Sequence, residues 1–273
     1  MPDPPTPVTQ RLEWTTFGDD AGVLYERYMV PAIFGSWAED LVRAGRCKHG
    51  DRVLDVACGT GVVARCAVQR VGRSGHVVGL DLSPAMLAAA RSAARETSIE
   101  WQEGNALVMP FSDRSFDVVL CQQGLQFFPD RAAALRQMRR VLAIGGRLVL
   151  SVFRTSEGHL ALAEGLAPVL GATTSSILEP FVLADADELR SLAVGAGFED
   201  IQVDLAVRTA HFAEPESFML VQASGRLASA VSKLTASERS DLFDRARAAL
   251  RPYTDTGGLA FSMEAHVLTA QAS

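Results

Sequence analysis

The chain has little of what marks several large function classes. It carries four cysteines, Cys47, Cys58, Cys66 and Cys121, with no C-x-x-C pair among them, so neither a zinc cluster nor a dithiol redox site is indicated. Cys58 and Cys121 fall at strand ends, where cysteine serves as a small apolar residue; all four are expected to be reduced. The five histidines are scattered, without H-x-x-x-H spacing, and no G-x-S-x-G elbow occurs, so no metal and no nucleophilic triad are expected. Dense Lys/Arg runs are missing and the formal net charge is −6. The nearest cluster, Arg136, Arg139 and Arg140, is expected at a solvated helix end, where cations complement the helix dipole. Nucleic acid is therefore not expected as a partner. No apolar run reaches the length of a membrane span, and the Pro-rich start MPDPPTPVTQ lacks a hydrophobic signal region. These absences lead to the expectation of a soluble cytoplasmic protein. No internal repeat is evident.

What is present centres on residues 52–64, RVLDVACGTGVVA. An apolar run ends in Gly59 and Gly61, and a helix-like stretch follows from Val62 to Val71. That is the strand–turn–helix layout of a nucleotide-type site: the glycines let backbone approach a ligand, and the helix start offers unpaired N–H groups. The spacing Gly59-x-Gly61-x-x-Ala64 also satisfies a dinucleotide fingerprint, so a nicotinamide cofactor is one candidate. Asp55, four residues before Gly59, argues against it. A carboxylate there would repel a pyrophosphate but suits a cationic ligand, such as S-adenosylmethionine with its ammonium and sulfonium and no phosphate.

VLDVACGTG resembles the first motif of class I S-adenosylmethionine-dependent methyltransferases, and the later order matches too: Asp81 at a strand end, EGNA at 103–106, FDVVLC at 116–121 and GGRLVLSV at 145–152. The resemblance covers about residues 50–155 and is nearest to the small-molecule members that include the ubiquinone/menaquinone-type C-methyltransferases. It implies a Rossmann-like doubly wound α/β sheet of seven strands, mostly parallel with an antiparallel edge, carrying helical insertions over the acceptor. It implies S-adenosyl-L-methionine as cofactor, a small-molecule acceptor such as a secondary metabolite or quinone-like compound, and cofactor contacts at Tyr28, Asp55, Ala57, Gly59, Gly61, Asp81, Leu82, Met86, Asn105, Ala106 and Gln122. Asp81, 20 residues after Gly61, would hold the ribose hydroxyls. Asn105 stands where the family usually has an aspartate for the adenine amino group, so it accepts without charge assistance. Gln122 is placed near the methionine end, with Gln123 and Gln126 toward the acceptor.

Periodicity divides the rest. Residues 1–36 read as a Pro-rich tail and an aromatic lid (Trp14, Phe17, Tyr25, Tyr28, Phe34), 37–155 as the cofactor-binding core, and 156–273 as the remainder of the same domain with an acceptor-side cap. Ser36-Trp37-Ala38-Glu39 is a capping box, predicting a helix from there to about Gly45. Strands are expected at 52–57, 76–81, 99–103, 116–121, 147–152, 200–208 and 259–269, and helices at 62–71, from 84, 131–143, 159–170, 185–195, 215–231 and 236–250. The alternation of strand and helix indicates a parallel sheet covered on both faces.

Methyl transfer is an in-line displacement that asks the protein for alignment and exclusion of water rather than for a metal. His159 and His211 follow strands on the acceptor side, but a lone histidine is more often packed or exposed, and no catalytic base is assigned. Two alternatives stay open: an NAD-dependent oxidoreductase, and a member of the fold that transfers no methyl group. A homodimer is also left open.

Overall fold

The structure is a computed structural model and describes residues 21–95 and 97–273. Trp14 and Phe17 of the aromatic segment, and the Pro-rich tail, lie outside the described residues. In chain order the elements are α1 (Ala21–Leu24), a π-helix (Tyr25–Phe34), α2 (Gly35–Ala44), β1 (Arg52–Val56), α3 (Val62–Val71), β2 (His76–Asp81), α4 (Pro84–Ala93), β3 (Ile99–Glu103), β4 (Phe116–Gln122), α5 (Arg131–Val141), β5 (Leu142–Ser156), α6 (Glu157–Leu170), α7 (Ser175–Leu178), α8 (Ala186–Gly195), β6 (Phe198–Phe212), α9 (Pro215–Ser224), α10 (Ala228–Val231), α11 (Ala236–Leu250), β7 (Thr254–Asp255) and β8 (Gly258–Ala272).

The strands form one sheet in the order β3-β2-β1-β4-β5-β8-β6, with the two-residue β7 beside β8. β1 to β5 pair in parallel, and β8 runs antiparallel to both β5 and β6. This is the mostly parallel, doubly wound sheet with an antiparallel edge that the family resemblance implies, with the short β7 as an eighth strand beside the seven expected. From β1 the chain winds outward through β2 and β3, then returns to place β4 and β5 on the other side. The reversal leaves a crevice at the carboxyl ends of β1 and β4, where ligands of such sheets bind.

The central strands read as unbroken apolar runs because both faces are covered. Leu54, Val119 and Leu150 pack with Leu135 and Met138 of α5 and Leu189 of α8. Val53, Val118 and Leu120 face the other way, onto Leu41 of α2 and Ala64 and Ala67 of α3. A third cluster forms the cap: Ile33 and Phe34, Leu162 and Leu166 of α6, Phe218 of α9, Leu242 of α11, and Phe212, Phe261 and Met263 from the far ends of β6 and β8. Helix starts follow local chemistry. Ser83 accepts from the Met86 N–H with Pro84 at the first position, Asp130 caps α5 through the Ala133 N–H, and Thr235 and Glu238 close a full capping box on α11.

Several sequence expectations differ from the structure. The capping box at Ser36 does not form. The chain is already helical through the π-helix, Phe34 occupies the cap position with helical dihedrals, and the Ser36 hydroxyl donates to the Ile33 carbonyl instead. Burial of Met29, Val30, Ile33 and Phe34 carries the helix past the local start signal, so the lid and the core share one helical run across residue 36. Of the clustered arginines Arg136, Arg139 and Arg140 on α5, Arg136 is exposed as expected, but the other two act as clamps: Arg140 donates to the carbonyls of Phe111 and Met109, and Arg139 to that of Gly197. Finally, the helical run Glu157–Phe181, 25 residues with a mean hydropathy of 1.2, does meet the length and composition of a membrane span. Its Leu162, Leu166, Leu170 and Ile177 are spent on the cap core. β6 is also longer than its alternating stretch, with a register shift between Glu199 and Gln202 and a left-handed Asp200, as expected of a bulge.

Candidate active site

The crevice is marked by backbone strain. Ala57 and Gln123 each have φ 55°, a left-handed conformation that non-glycine residues rarely adopt, and they stand just beyond the carboxyl ends of β1 and β4, on either side of the winding reversal. Such strain persists where the surrounding structure over-determines it, typically at a ligand site. Gly59 (φ 55°) and Gly61 (φ 83°) complete the turn, for different reasons. A Cβ on Gly59 would meet nothing within 4 Å, so the space beside it is open; on Gly61 it would lie 2.2 Å from the Trp101 ring. Gly59 leaves its side of the turn open, and Gly61 leaves room for the Trp101 ring.

Asp55 sits beneath this turn and is 1 % exposed. One oxygen, Oδ2, accepts from the Ala64 N–H in the first turn of α3 at 3.0 Å; the other, Oδ1, is buried with no hydrogen-bond partner. Burial pushes the carboxyl up to about 8, with the charge of Asp81 adding to the shift and the Ala64 N–H and Arg65 opposing it. Asp55 is thus a support under the loop rather than part of the cavity wall, and it is left half-satisfied. Asp81 holds the loop from the side: Oδ2 accepts from the Gly59 N–H and Oδ1 from the Ser83 N–H, both at 2.8 Å. A carboxylate has about four acceptor positions, so two remain for ligand hydroxyls. Leu82, next to it, is 69 % exposed. Asn105 accepts from the Leu107 N–H at 2.9 Å in a tight turn, which leaves its amide nitrogen and a second lone pair. Ala106 is buried and packs in the same cluster as Leu80. Gln122 donates to the Phe34 carbonyl at 3.0 Å, tying β4 to the π-helix, and its Oε1 is buried without a partner.

Adjoining the crevice is a cavity of about 430 Å³ lined by Tyr25, Met29, Ile33, Phe34, Met86, Gln123, Gln126, Phe127, Phe153, His159, Pro180, Val221, Gln222, Gly225, Arg226 and Met263. Met86 is among these lining residues. Tyr28, expected as a cofactor contact, does not line this cavity: it lies by a separate surface groove with Pro31, His211 and Glu214, under the guanidinium of Arg27. The tyrosine that lines the cavity is Tyr25, three residues earlier. It stacks on Phe34 with centroids 5.0 Å apart, and burial together with the charge of Asp81 pushes its phenol far up, so it stays neutral. Nothing in the sequence selects Tyr25 over Tyr28, because the wider π-helical turn changes which residues share a face.

The polar groups of the cavity are few and fixed. Gln126 donates to Gln123 Oε1 and Gln123 to Ser151 Oγ, each at 3.2 Å, while Gln126 Oε1 is buried without a partner. His159 is 4 % exposed, ringed by Phe181, Phe218 and Phe261, with Ser156 Oγ 2.8 Å from Nδ1 and Gln222 Nε2 3.3 Å from Nε2. Burial pushes its imidazole down to about 3, helped by the positive charge of Arg226. A neutral ring accepts from Gln222 and donates to Ser156, which makes it a hydrogen-bond relay. His211, by contrast, is exposed against the Gly257 carbonyl, and His266 bonds that of Ala184. Gln222 and Arg226 were invisible as site residues; they lie in a stretch that reads only as helical.

The comparisons with known proteins now have a geometry to meet. The family model described as a methyltransferase domain matches residues 54–150, the stretch from β1 to β5 that carries the crevice. The 2-phytyl-1,4-naphtoquinone methyltransferase of Synechococcus elongatus is 41 % identical over 139 residues, 48 % of this chain and 60 % of that protein. The demethylmenaquinone methyltransferase of Staphylococcus carnosus is 32 % identical over 184 residues, 61 % of this chain and 76 % of that protein. The chain belongs to the class I methyltransferases. Membership decides between the two readings of the glycine turn and leaves the nicotinamide alternative without support. Among solved structures, the phosphoethanolamine N-methyltransferase 2 of Haemonchus contortus, in complex with S-adenosyl-L-methionine, superposes with a TM-score of 0.60 at 19 % identity, covering 95 % of this chain and 58 % of that one; this likeness is one of fold. The chain spans about 60 % of the length of the cyanobacterial relative. Among the described residues no group of histidines, cysteines and carboxylates is set to hold a metal ion.

Proposed function

We propose that this chain transfers a methyl group from S-adenosylmethionine to a small, apolar, aromatic acceptor of the quinone-like kind. The observation that carries it is the turn at the carboxyl ends of β1 and β4, where Asp81 accepts from the Gly59 and Ser83 N–H groups and keeps lone pairs free. Two free carboxylate lone pairs beside the open space at Gly59 fit the paired hydroxyls of a ribose, and Asp55 supports the turn from beneath through the Ala64 N–H. The residues present therefore fit the cofactor. Gly59 and Gly61 let main chain come close to it, Asp81 offers its free lone pairs to the ribose hydroxyls, Leu82 and Met86 flank the adenine, and Asn105 and Ala106 meet its edge. Gln122 Oε1 and the Ala57 turn serve the methionine end. Tyr25, rather than Tyr28, closes the site from the lid.

When bound, the cofactor supplies a methyl group already activated by the adjacent sulfonium. The protein's share is alignment and dryness. Phe34, Phe153, Met29 and Met263 wall the cavity, and the fixed amides of Gln123 and Gln126 orient what enters it. His159, neutral between Gln222 and Ser156, forms a separate hydrogen-bonded chain at the wall. The quinone-like acceptor is supported by the naphthoquinone and menaquinone methyltransferases among the relatives. Calorimetry with S-adenosylhomocysteine tests the cofactor, with micromolar binding expected; no binding at millimolar ligand sinks the reading. Transfer of labelled methyl to a panel of quinols, phenols and amines then identifies the acceptor.

A further inference from the structure

Among the described residues, Arg226 is the one charged side chain in the lining of the 430 Å³ cavity. It is held at a turn between α9 and α10, where the next residue, Leu227, is buried in the cap core and bonds back to the Gln222 carbonyl. Its guanidinium lies 4.8 Å from the centre of the Phe127 ring, and one nitrogen reaches Glu179 at 2.8 Å. The pair is lopsided: the Arg226 side chain is 29 % exposed, while that of Glu179 is 58 % exposed. Glu179 therefore holds the arginine from the wet rim, where an ion pair is weak. An anion on the cavity side would meet the same guanidinium in a drier setting, where Coulomb attraction is larger. Arg226 also has donors in a fixed fork, suited to an oxyanion. A second group points to the same ligand: Gln126 Oε1 is buried and unpartnered, and its amide is oriented by the bond it donates to Gln123. It calls for an O–H or N–H donor.

Resting on the methyltransferase reading, we infer that the acceptor is a planar aromatic that enters as an anion, with an ionised ring oxygen held by Arg226 and a hydroxyl or amine donor given to Gln126. Neutral quinones of the same shape are disfavoured because they leave Arg226 with only its rim carboxylate and Gln126 Oε1 without a donor.

The test uses the full chain saturated with S-adenosylhomocysteine and two probes of equal shape: 2-hydroxy-1,4-naphthoquinone, an anion at neutral pH, and its neutral methyl ether. Calorimetry is expected to show the anion binding at least tenfold more tightly. Arg226→Met should abolish that preference while leaving affinity for S-adenosylhomocysteine and the methyl ether unchanged. Glu179→Gln should raise affinity for the anion about threefold, since it removes the competing carboxylate. The opposite signs matter, because a merely structural ion pair would make both variants lose affinity together. No preference in the wild type, a preference that survives Arg226→Met, or a fall with Glu179→Gln overturns the proposal. A loss of S-adenosylhomocysteine binding in Arg226→Met moves the residue to the cofactor and also overturns it. If the wild type binds no S-adenosylhomocysteine, the methyltransferase reading fails on its own, and the anion preference is still measured without it.

Discussion

The two halves of the site are built on different principles. On the cofactor side the functional carboxylates are bonded to main chain: Asp55 to the Ala64 N–H, Asp81 to those of Gly59 and Ser83. On the acceptor side the polar groups bond to one another, as Gln126 to Gln123 and Gln222 to His159, or to a rim carboxylate, as Arg226 to Glu179. Groups tied to backbone cannot move without moving a strand, so that half is set for one ligand. Groups tied to side chains can be exchanged one at a time without unfolding a turn, and the cap can change its acceptor while the crevice keeps its cofactor.

The sharpest way to break this comparison is Asp81→Ala. It removes two loop hydrogen bonds and the ribose acceptor together, and S-adenosylhomocysteine affinity measured by calorimetry should fall at least about 100-fold, roughly 3 kcal/mol, as expected for several hydrogen bonds to a charged group. Gln222→Ala in the cap should leave it within about twofold. If the two variants behave alike, the division between the halves is wrong.

Next in size is Gly61→Ala. Its Cβ would sit 2.2 Å from Trp101 at φ 83°, and the variant should lose roughly 2–4 kcal/mol in denaturant unfolding. Gly145→Ala, at φ 71° with open space around it, should lose only about 1 kcal/mol.

The third prediction concerns pH. Asp55 titrates at about 8 in the folded chain against 3.8 as its ordinary value, so the folded state keeps a proton that the unfolded state releases. The stability this group contributes is complete below about pH 3.8, declines as pH rises, and is gone above about 8. His159 works in the opposite sense: held near 3 against an ordinary 6.5, it contributes stability above pH 6.5 that is lost as pH falls toward 3. Thermal unfolding of the ligand-free wild type and Asp55→Asn should therefore differ in slope between pH 4 and 8, the wild type falling more with rising pH. Parallel curves would mean that Asp55 is ionised throughout. In the same vein, the kcat/KM profile should show no limb near pH 6.5 that disappears in His159→Asn.

The smallest effect is expected far from either half. Thr235→Ala breaks the capping box of α11 and should cost about 1 kcal/mol, seen as a shift of a few degrees in Tm with cofactor affinity unchanged.

Much of the cofactor side was legible in the sequence because its signals are local. A buried parallel strand is a continuous apolar run, a helix start is Ser83-Pro84 or Asp130, and a turn that needs positive φ shows as Gly59 and Gly61. These features depend on neighbours within a few residues and survive any tertiary context. The start signal at Ser36 failed because burial of the preceding apolar residues outweighed a cap. Tyr25 was missed for a similar reason: the phase of a π-helix decides which tyrosine faces the cavity, and that phase comes from packing.

By itself the sequence determined the order of strands and helices, the glycine turn, the two acidic strand positions and the family they belong to. Only the tertiary structure decided that Asp55 lies under the loop with one oxygen unmatched. It alone brought Tyr25, Gln126, His159 and Arg226, residues spread over some two hundred positions, around one cavity. Their meeting depends on where helices of the cap come to rest against the ends of β5 and β8, and that is fixed by the shape of the buried core as a whole rather than by any local pattern of residues.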